Sequence, residues 1–138
     1  MTSPRFLLDT NICIYIRQRR PPEVLARFRS LRAGEAAISV ITYGELRYGA
    51  VKSRDRQRAL DLLDQLVALL PVLPLPQAAG EAYGTVRADL ERRGEVIGNN
   101  DLWIAAHALA AGLILATNYR REFARIDGLL LADWVGAG

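Results

Sequence analysis

The sequence predicts an α/β fold: a mostly parallel five-stranded sheet, strand order 3-2-1-4-5, with helices on both faces in a three-layer sandwich. Two observations lead there. Short apolar runs alternate with segments whose apolar residues recur at helical spacing, the signature of strands joined by crossover helices. Pro71, Pro74 and Pro76 bracket the third run, and proline cannot donate to a ladder on both sides, so that strand belongs at an edge. Right-handed crossovers with strand 3 outermost then give 3-2-1-4-5, an order that reverses direction between strands 1 and 4. At 138 residues and 51% hydrophobic, the chain can bury one sizeable core and is short for two ordinary domains, so a single domain over residues 1–138 is expected.

The elements follow in order. Residues 5–9, with Phe6-Leu7-Leu8 at their centre, read as a strand buried on both faces, and a helix begins near Asn11. Val24, Leu25, Phe28 and Leu31 form the apolar stripe of a second helix, with Arg27, Arg29 and Arg32 outside it. Residues 36–39 make the second strand. Thr42 to Glu45 matches a capping box, but Ser39, directly after that strand, is the better-placed cap and leaves Glu45 mid-helix. Ala59, Leu63, Leu66, Val67 and Leu70 give the next stripe, residues 71–75 the edge strand, and Ala79, Ala82, Tyr83, Val86 and Leu90 a further helix. A helix over 101–111, strands at 113–117 and 129–131, and a frayed end at Gly136-Ala137-Gly138 complete the chain.

Composition narrows the function classes. The formal charge is +3 and the pI about 9.4, and Lys52 is the only lysine, so the positive charge is almost wholly arginine. Arginine prefers planar partners such as phosphate or carboxylate, although a rich arginine count also follows from genomic base composition. The longest uncharged stretch, from Leu102 up to Arg120, contains His107 and helix-breaking residues, and reads neither as a membrane span nor as an amino-terminal signal. Cys13 is the only cysteine, which excludes an internal disulfide and fits a cytoplasmic protein with a small core thiol.

Four acids carry the functional reading. Ligands of open α/β sheets sit beyond the carboxyl ends of strands, where Asp9 closes the first strand. Glu45, Asp101 and Glu122 follow in Ile41-Thr42-Tyr43-Gly44-Glu45-Leu46, Asn99-Asn100-Asp101-Leu102-Trp103 and Thr117-Asn118-Tyr119-Arg120-Arg121-Glu122-Phe123. Each has an ordinary explanation: Asp9 as a helix cap, Asp101 in a first helical turn, Glu45 in a capping box, Glu122 as a solvated charge beside two arginines. Together they are harder to dismiss. Three stand among apolar or small residues, where an unpaired carboxylate costs several kcal/mol or takes up a proton. A hard cation resolves that cost, and Mg²⁺ or Mn²⁺ needs only one or two direct carboxylates. Nitrogen and sulfur ligands are lacking, because His107, six residues after Asp101, falls on another helix face and reads as a packing residue, so zinc is not expected.

In order and spacing, four blocks resemble the PIN-domain ribonucleases, in particular toxins of the VapC type. They are Leu8-Asp9-Thr10-Asn11, Ile41-Thr42-x-Gly44-Glu45-Leu46-x-x-Gly49, Ile97-Gly98-x-x-Asp101-x-x-Ile104-Ala105-Ala106-His107-Ala108 and Thr117-Asn118-x-x-x-Glu122-Phe123. The likeness runs from Phe6 to Trp134. It implies a Mg²⁺-dependent endoribonuclease paired with a VapB-type antitoxin. The family's acidic quartet falls on Asp9, Glu45, Asp101 and Glu122, with Thr10, Asn11, Thr117 and Asn118 as polar support. Many PIN domains carry Asp soon after the fourth strand where this chain has Asn118, and Glu122 supplies the fourth acid from the next turn. On this reading Asp9 and Asp101 are the nearest metal ligands, Glu45 holds or deprotonates the attacking water, and Glu122 completes an outer shell or a second site. Arg17, Arg19, Arg20, Arg54, Arg56 and Arg58 are candidates to steer an RNA backbone. Structured RNA such as tRNA is the substrate the resemblance favours, with messenger RNA open.

Two rival readings fit the sequence less well. A phosphatase-like enzyme with Asp9 as nucleophile wants a second acid two residues on and a lysine, where this chain has Asn11 and only Lys52. A non-catalytic RNA- or protein-binding module would be expected to have lost an acid, and all four are present. Leucines all round the helix at 60, 62, 63, 66, 69 and 70 exceed what one buried face requires. They predict a groove against the helices at 12–16 and 24–31 for an antitoxin segment, and part of the same surplus for a homodimer.

Overall fold

The first strand sets the architecture. In the computed structural model, which describes residues 3–136, β1 (Phe6–Leu8) is buried along its whole length and lies between β2 (Ala36–Ser39) and β4 (Ile114–Ala116). Phe6 stands opposite both Ala36 and Ile114, and Leu8 opposite Ala116. Edge strands β3 (Val72–Leu73) and β5 (Leu131–Ala132) complete the order 3-2-1-4-5, and all four pairings are parallel. Both the predicted order and the proline-bracketed edge are observed.

A strand flanked on both faces sends alternate side chains to opposite layers. Phe6, Leu8 and Ala116 enter one apolar cluster, Leu7 and Leu115 the other. Helices α1 (Thr10–Gln18), α2 (Pro22–Arg29) and α4 (Arg56–Leu69) build the first cluster through Ile12, Val24 and Leu63. Helices α5 (Gln77–Arg93) and α6 (Asn99–Ala111) build the second through Leu90, Leu102 and Ile104. Helix α3 (Val40–Val51) gives Leu46 to the first cluster and Ile41 to the second, and the short α7 (Arg120–Phe123) adds Phe123. Trp134 closes the first cluster edge-on to Phe6, ring centroids 5.7 Å apart.

Boundaries differ from the expected ones where the chain turns. The last strand begins two residues later than its apolar run. Gly128 adopts φ 82°, a left-handed conformation that suits glycine, and Leu129 then packs against the second cluster while Leu130 accepts from Leu115 N at 2.9 Å. The α6 helix starts at Asn99, so Asp101 stands in its first turn as expected. Ala137 and Gly138 of the expected frayed end lie outside the described residues. Among those described, no helix is long and apolar enough to cross a membrane.

The two faces of α4 should separate in a denaturant titration. Leu63 is 0% exposed and Leu69 is 61% exposed. Leu63→Ala should cost about 2–5 kcal/mol of unfolding free energy, and Leu69→Ala less than about 0.5 kcal/mol.

Candidate active site

The parallel sheet brings strand ends and helix starts to one edge, and the predicted residues gather there. Asp9 follows β1 directly, with its backbone N–H donating to Ala116 O of β4 at 3.0 Å. Its Oδ1 accepts from Ile12 N at 2.9 Å, the cap of α1 that the sequence suggested. Thr117, buried at the end of β4, hydrogen-bonds the same carboxylate and accepts from Tyr119 N at 2.9 Å. Asp9 is 3% exposed, so capping and membership of the acid group are two tasks of one side chain.

Glu45 projects from the middle of α3, because Ser39 caps that helix by accepting from Ile41 N at 3.1 Å. Thr10 donates to Glu45 Oε1 at 2.6 Å, tying α1 to α3. Asp101 is partly buried, and Glu122 on α7 is exposed. Asn11 is partly buried in the first turn of α1. Asn118 donates to the Tyr15 hydroxyl at 3.1 Å, while its Oδ1 is buried with no partner. Of the six candidate arginines, Arg17 and Arg58 line a cleft of about 340 Å³ that also holds Thr10 and Glu45. Arg19, Arg20, Arg54 and Arg56 are exposed and do not line it.

Electrostatics binds the acids into one group. Burial pushes the Asp9 pKa up to about 6; the Thr117 and Ile12 hydrogen bonds oppose the rise, and repulsion from Asp101 and Glu45 adds to it. Asp101 is raised too, by burial first and then by Glu45 and Glu122. Among the described residues none of the four acids joins a salt bridge; the arginine pairs lie elsewhere, as in Arg5–Glu35 and Arg93–Asp89. Nor do any three Asp, Glu, His or Cys groups there form a ready metal cage. An all-oxygen set of neighbouring carboxylates with no cationic partner among the described residues has the chemistry a hard, partly hydrated cation requires. His107 stands apart from them, 1% exposed, with Nδ1 2.9 Å from Ser39 Oγ, and burial lowers its pKa. Neither the Ser39–His107 contact nor the Tyr15–Asn118 contact had a signal in the sequence, because their partners are 68 and 103 residues apart.

Comparison with known proteins now fits the geometry. The chain matches the PIN domain family over residues 6–129, and it belongs to that family. Similar proteins include Ribonuclease VapC2 of Haemophilus influenzae, 41% identical over 95% of this chain and 98% of that protein. Another is the tRNA(fMet)-specific endonuclease VapC of Shigella flexneri, 43% identical over 94% and 98%. Among solved structures, DNA-bound VapBC from Salmonella typhimurium superposes with a TM-score of 0.89 at 40% identity, covering 95% of this chain and 98% of that one. VapBC2 from Rickettsia felis bound to a promoter DNA fragment gives 0.87 at 37% identity, covering 94% and 98%.

The raised Asp9 pKa has a signed consequence for stability. The folded metal-free protein holds the Asp9 proton more tightly than the unfolded chain, whose ordinary value is 3.8. Stabilisation from this group is therefore complete below pH about 4 and lost as pH rises through about 6, amounting to at most about 3 kcal/mol. Asparagine caps helices as well as aspartate does. In EDTA, Asp9→Asn should melt above the wild type at pH 7.5, and calorimetric scans near pH 4 should bring the two together.

Proposed function

We propose that this chain is a divalent-metal-dependent endoribonuclease, the toxin of a toxin–antitoxin pair. The observation that carries this reading is the group of four carboxylates near the switch point between β1 and β4, in which Asp101 and Glu45 repel Asp9, Glu122 repels Asp101, and none joins a salt bridge among the described residues. Similarity to proteins named VapC ribonucleases supports the substrate class. Mg²⁺ or Mn²⁺ is the proposed cofactor, held by Asp9 and Asp101; when bound it acidifies water and offsets charge on the phosphoryl oxygens.

The chain's own groups perform the remaining tasks. Glu45, held by the Thr10 hydroxyl, accepts the proton of the attacking water. Thr117 fixes the Asp9 carboxylate. Glu122 sits on the outer side of Asp101 and adds negative charge there. The water's oxygen bonds to phosphorus as the bond from phosphorus to the in-line 3′-oxygen breaks; that oxygen takes a proton from solvent and Glu45 afterwards returns its proton there, so the products carry a 5′-phosphate and a 3′-hydroxyl. A tRNA is the favoured RNA, by likeness to the tRNA(fMet)-specific relative. EDTA should abolish cleavage by the purified protein, Mg²⁺ or Mn²⁺ should restore it, and Asp9→Ala should remove it. Manganese titration calorimetry should show at least tenfold weaker binding in Asp9→Asn and Asp101→Asn. Cyclic phosphate ends formed in EDTA by an active Asp9→Ala variant would rule this chemistry out.

A VapB-type antitoxin is the proposed partner, supported by the VapBC complexes among similar structures. The groove expected between α1, α2 and α4 measures about 350 Å³ and is lined by Ile16, Leu25, Phe28, Leu62, Leu66 and Leu69 with Arg17, Arg19 and Arg29 at its margins. An apolar segment carrying acidic residues suits it. A second copy of the chain is the other proposed partner, with exposed Val40, Tyr48 and Val51 on one side of α3 as its apolar surface. Joint replacement Leu62→Arg and Leu69→Arg should weaken binding of the cognate antitoxin at least tenfold in calorimetry while RNA cleavage persists.

A further inference from the structure

Two aromatic side chains are largely exposed among the described residues, Tyr48 and Tyr119. Tyr48 lies on the α3 stripe, with Lys52 Nζ 4.7 Å from its ring centre. Tyr119 stands elsewhere, two residues after the Thr117 that bonds Asp9. It follows Thr117 and Asn118 at the carboxyl end of β4, 48% exposed. Its backbone N–H donates to Thr117 Oγ1, and the Thr117 hydroxyl holds Asp9. The backbone at Tyr119 is thereby linked through Thr117 to the central acid.

Such a turn ordinarily takes small polar residues, and a ring left half in water there contributes little to the core. Its neighbours add charge: Arg120 and Arg121 are exposed and join no salt bridge among the described residues. Glu122, next along, acts on Asp101, so this segment borders two of the acids. An exposed ring flanked by unpaired guanidinium groups is the combination by which proteins hold single-stranded nucleic acid, the ring stacking on a base face and the cations tracking the backbone. Resting on the nuclease reading above, we propose that Tyr119 is the stacking platform for one unpaired base beside the scissile phosphate, with Arg120 and Arg121 against the neighbouring phosphates. A base inside a duplex has both faces covered, so this contact selects loops over helical RNA.

Binding is measured by fluorescence anisotropy in the Asp9→Asn background, so that the probe stays intact. Probes are an RNA hairpin with an unpaired loop of mixed sequence and copies in which each loop base in turn is replaced by an abasic residue. Tyr119→Ala should weaken binding of the intact hairpin about tenfold or more. Tyr119→Phe should match the parent, because the ring face makes the contact. At one loop position the abasic hairpin should bind the parent and Tyr119→Ala equally. Unchanged affinity in Tyr119→Ala overturns the proposal, and so does a loss of the same size on every abasic hairpin, which marks a structural effect. Failure of the nuclease reading is separately visible, as a wild-type chain that cleaves no RNA with Mg²⁺ and a parent that binds no hairpin; that result overturns both.

Discussion

Burial of an aspartate at the end of the central strand is the constraint on which the rest of the site depends. A carboxylate taken out of water without a cation is costly, and Asp9 is held by three compensations. Its oxygen caps α1, the positive end of that helix faces it, and Thr117 bonds it from the neighbouring strand. The residual cost appears as a pKa near 6. That unresolved charge is what would give the proposed cation its place, since full compensation by an arginine would leave nothing for an ion to gain.

Parallel topology explains why the other acids come to the same edge. Every strand here runs in one direction, so each helix that follows a strand begins at the same rim. Asp9, Ser39 and Thr117 are thus equivalent positions on three strands, and each is buried and hydrogen-bonded. Ser39 does more than end β2: by capping α3 it sets the helical phase that directs Glu45 toward Thr10. Its contact with His107 ties that cap to α6, the helix that carries Asp101. On the proposed reading, stability and chemistry therefore use the same side chains and pull against each other at neutral pH.

Surface features divide along similar lines. Exposed leucines on α4 border the groove, an apolar stripe runs along α3, and Tyr119 stands exposed two residues after Thr117. None of these rings or aliphatic groups is required by the core, and each lies where the proposed partners differ in chemistry: peptide, second copy and nucleobase. Arg17 lines both the acid cleft and the groove. The groove and the cleft that holds Glu45 therefore adjoin.

Much of this was legible in the linear chain. Continuous apolar runs mark strands buried on both faces, prolines mark an edge, and a carboxylate ending the first run marks the rim where the acids gather, because these are local consequences of backbone hydrogen bonding and burial. The strand order, the Ser39 cap and the Asp9 cap could be reasoned from residue type and spacing alone. What the sequence could not decide were relations between distant segments. The start of β5 depended on how Gly128 lets Leu129 fold back onto the second cluster. The pairing of Thr10 with Glu45, of Ser39 with His107 and of Tyr15 with Asn118 depended on how helices pack across the sheet. So did the exposure of Glu122 and the rise at Asp9. Sequence determines which side chains are present and which local backbone each prefers; distance, burial and repulsion between groups far apart in the chain exist only once the layers close.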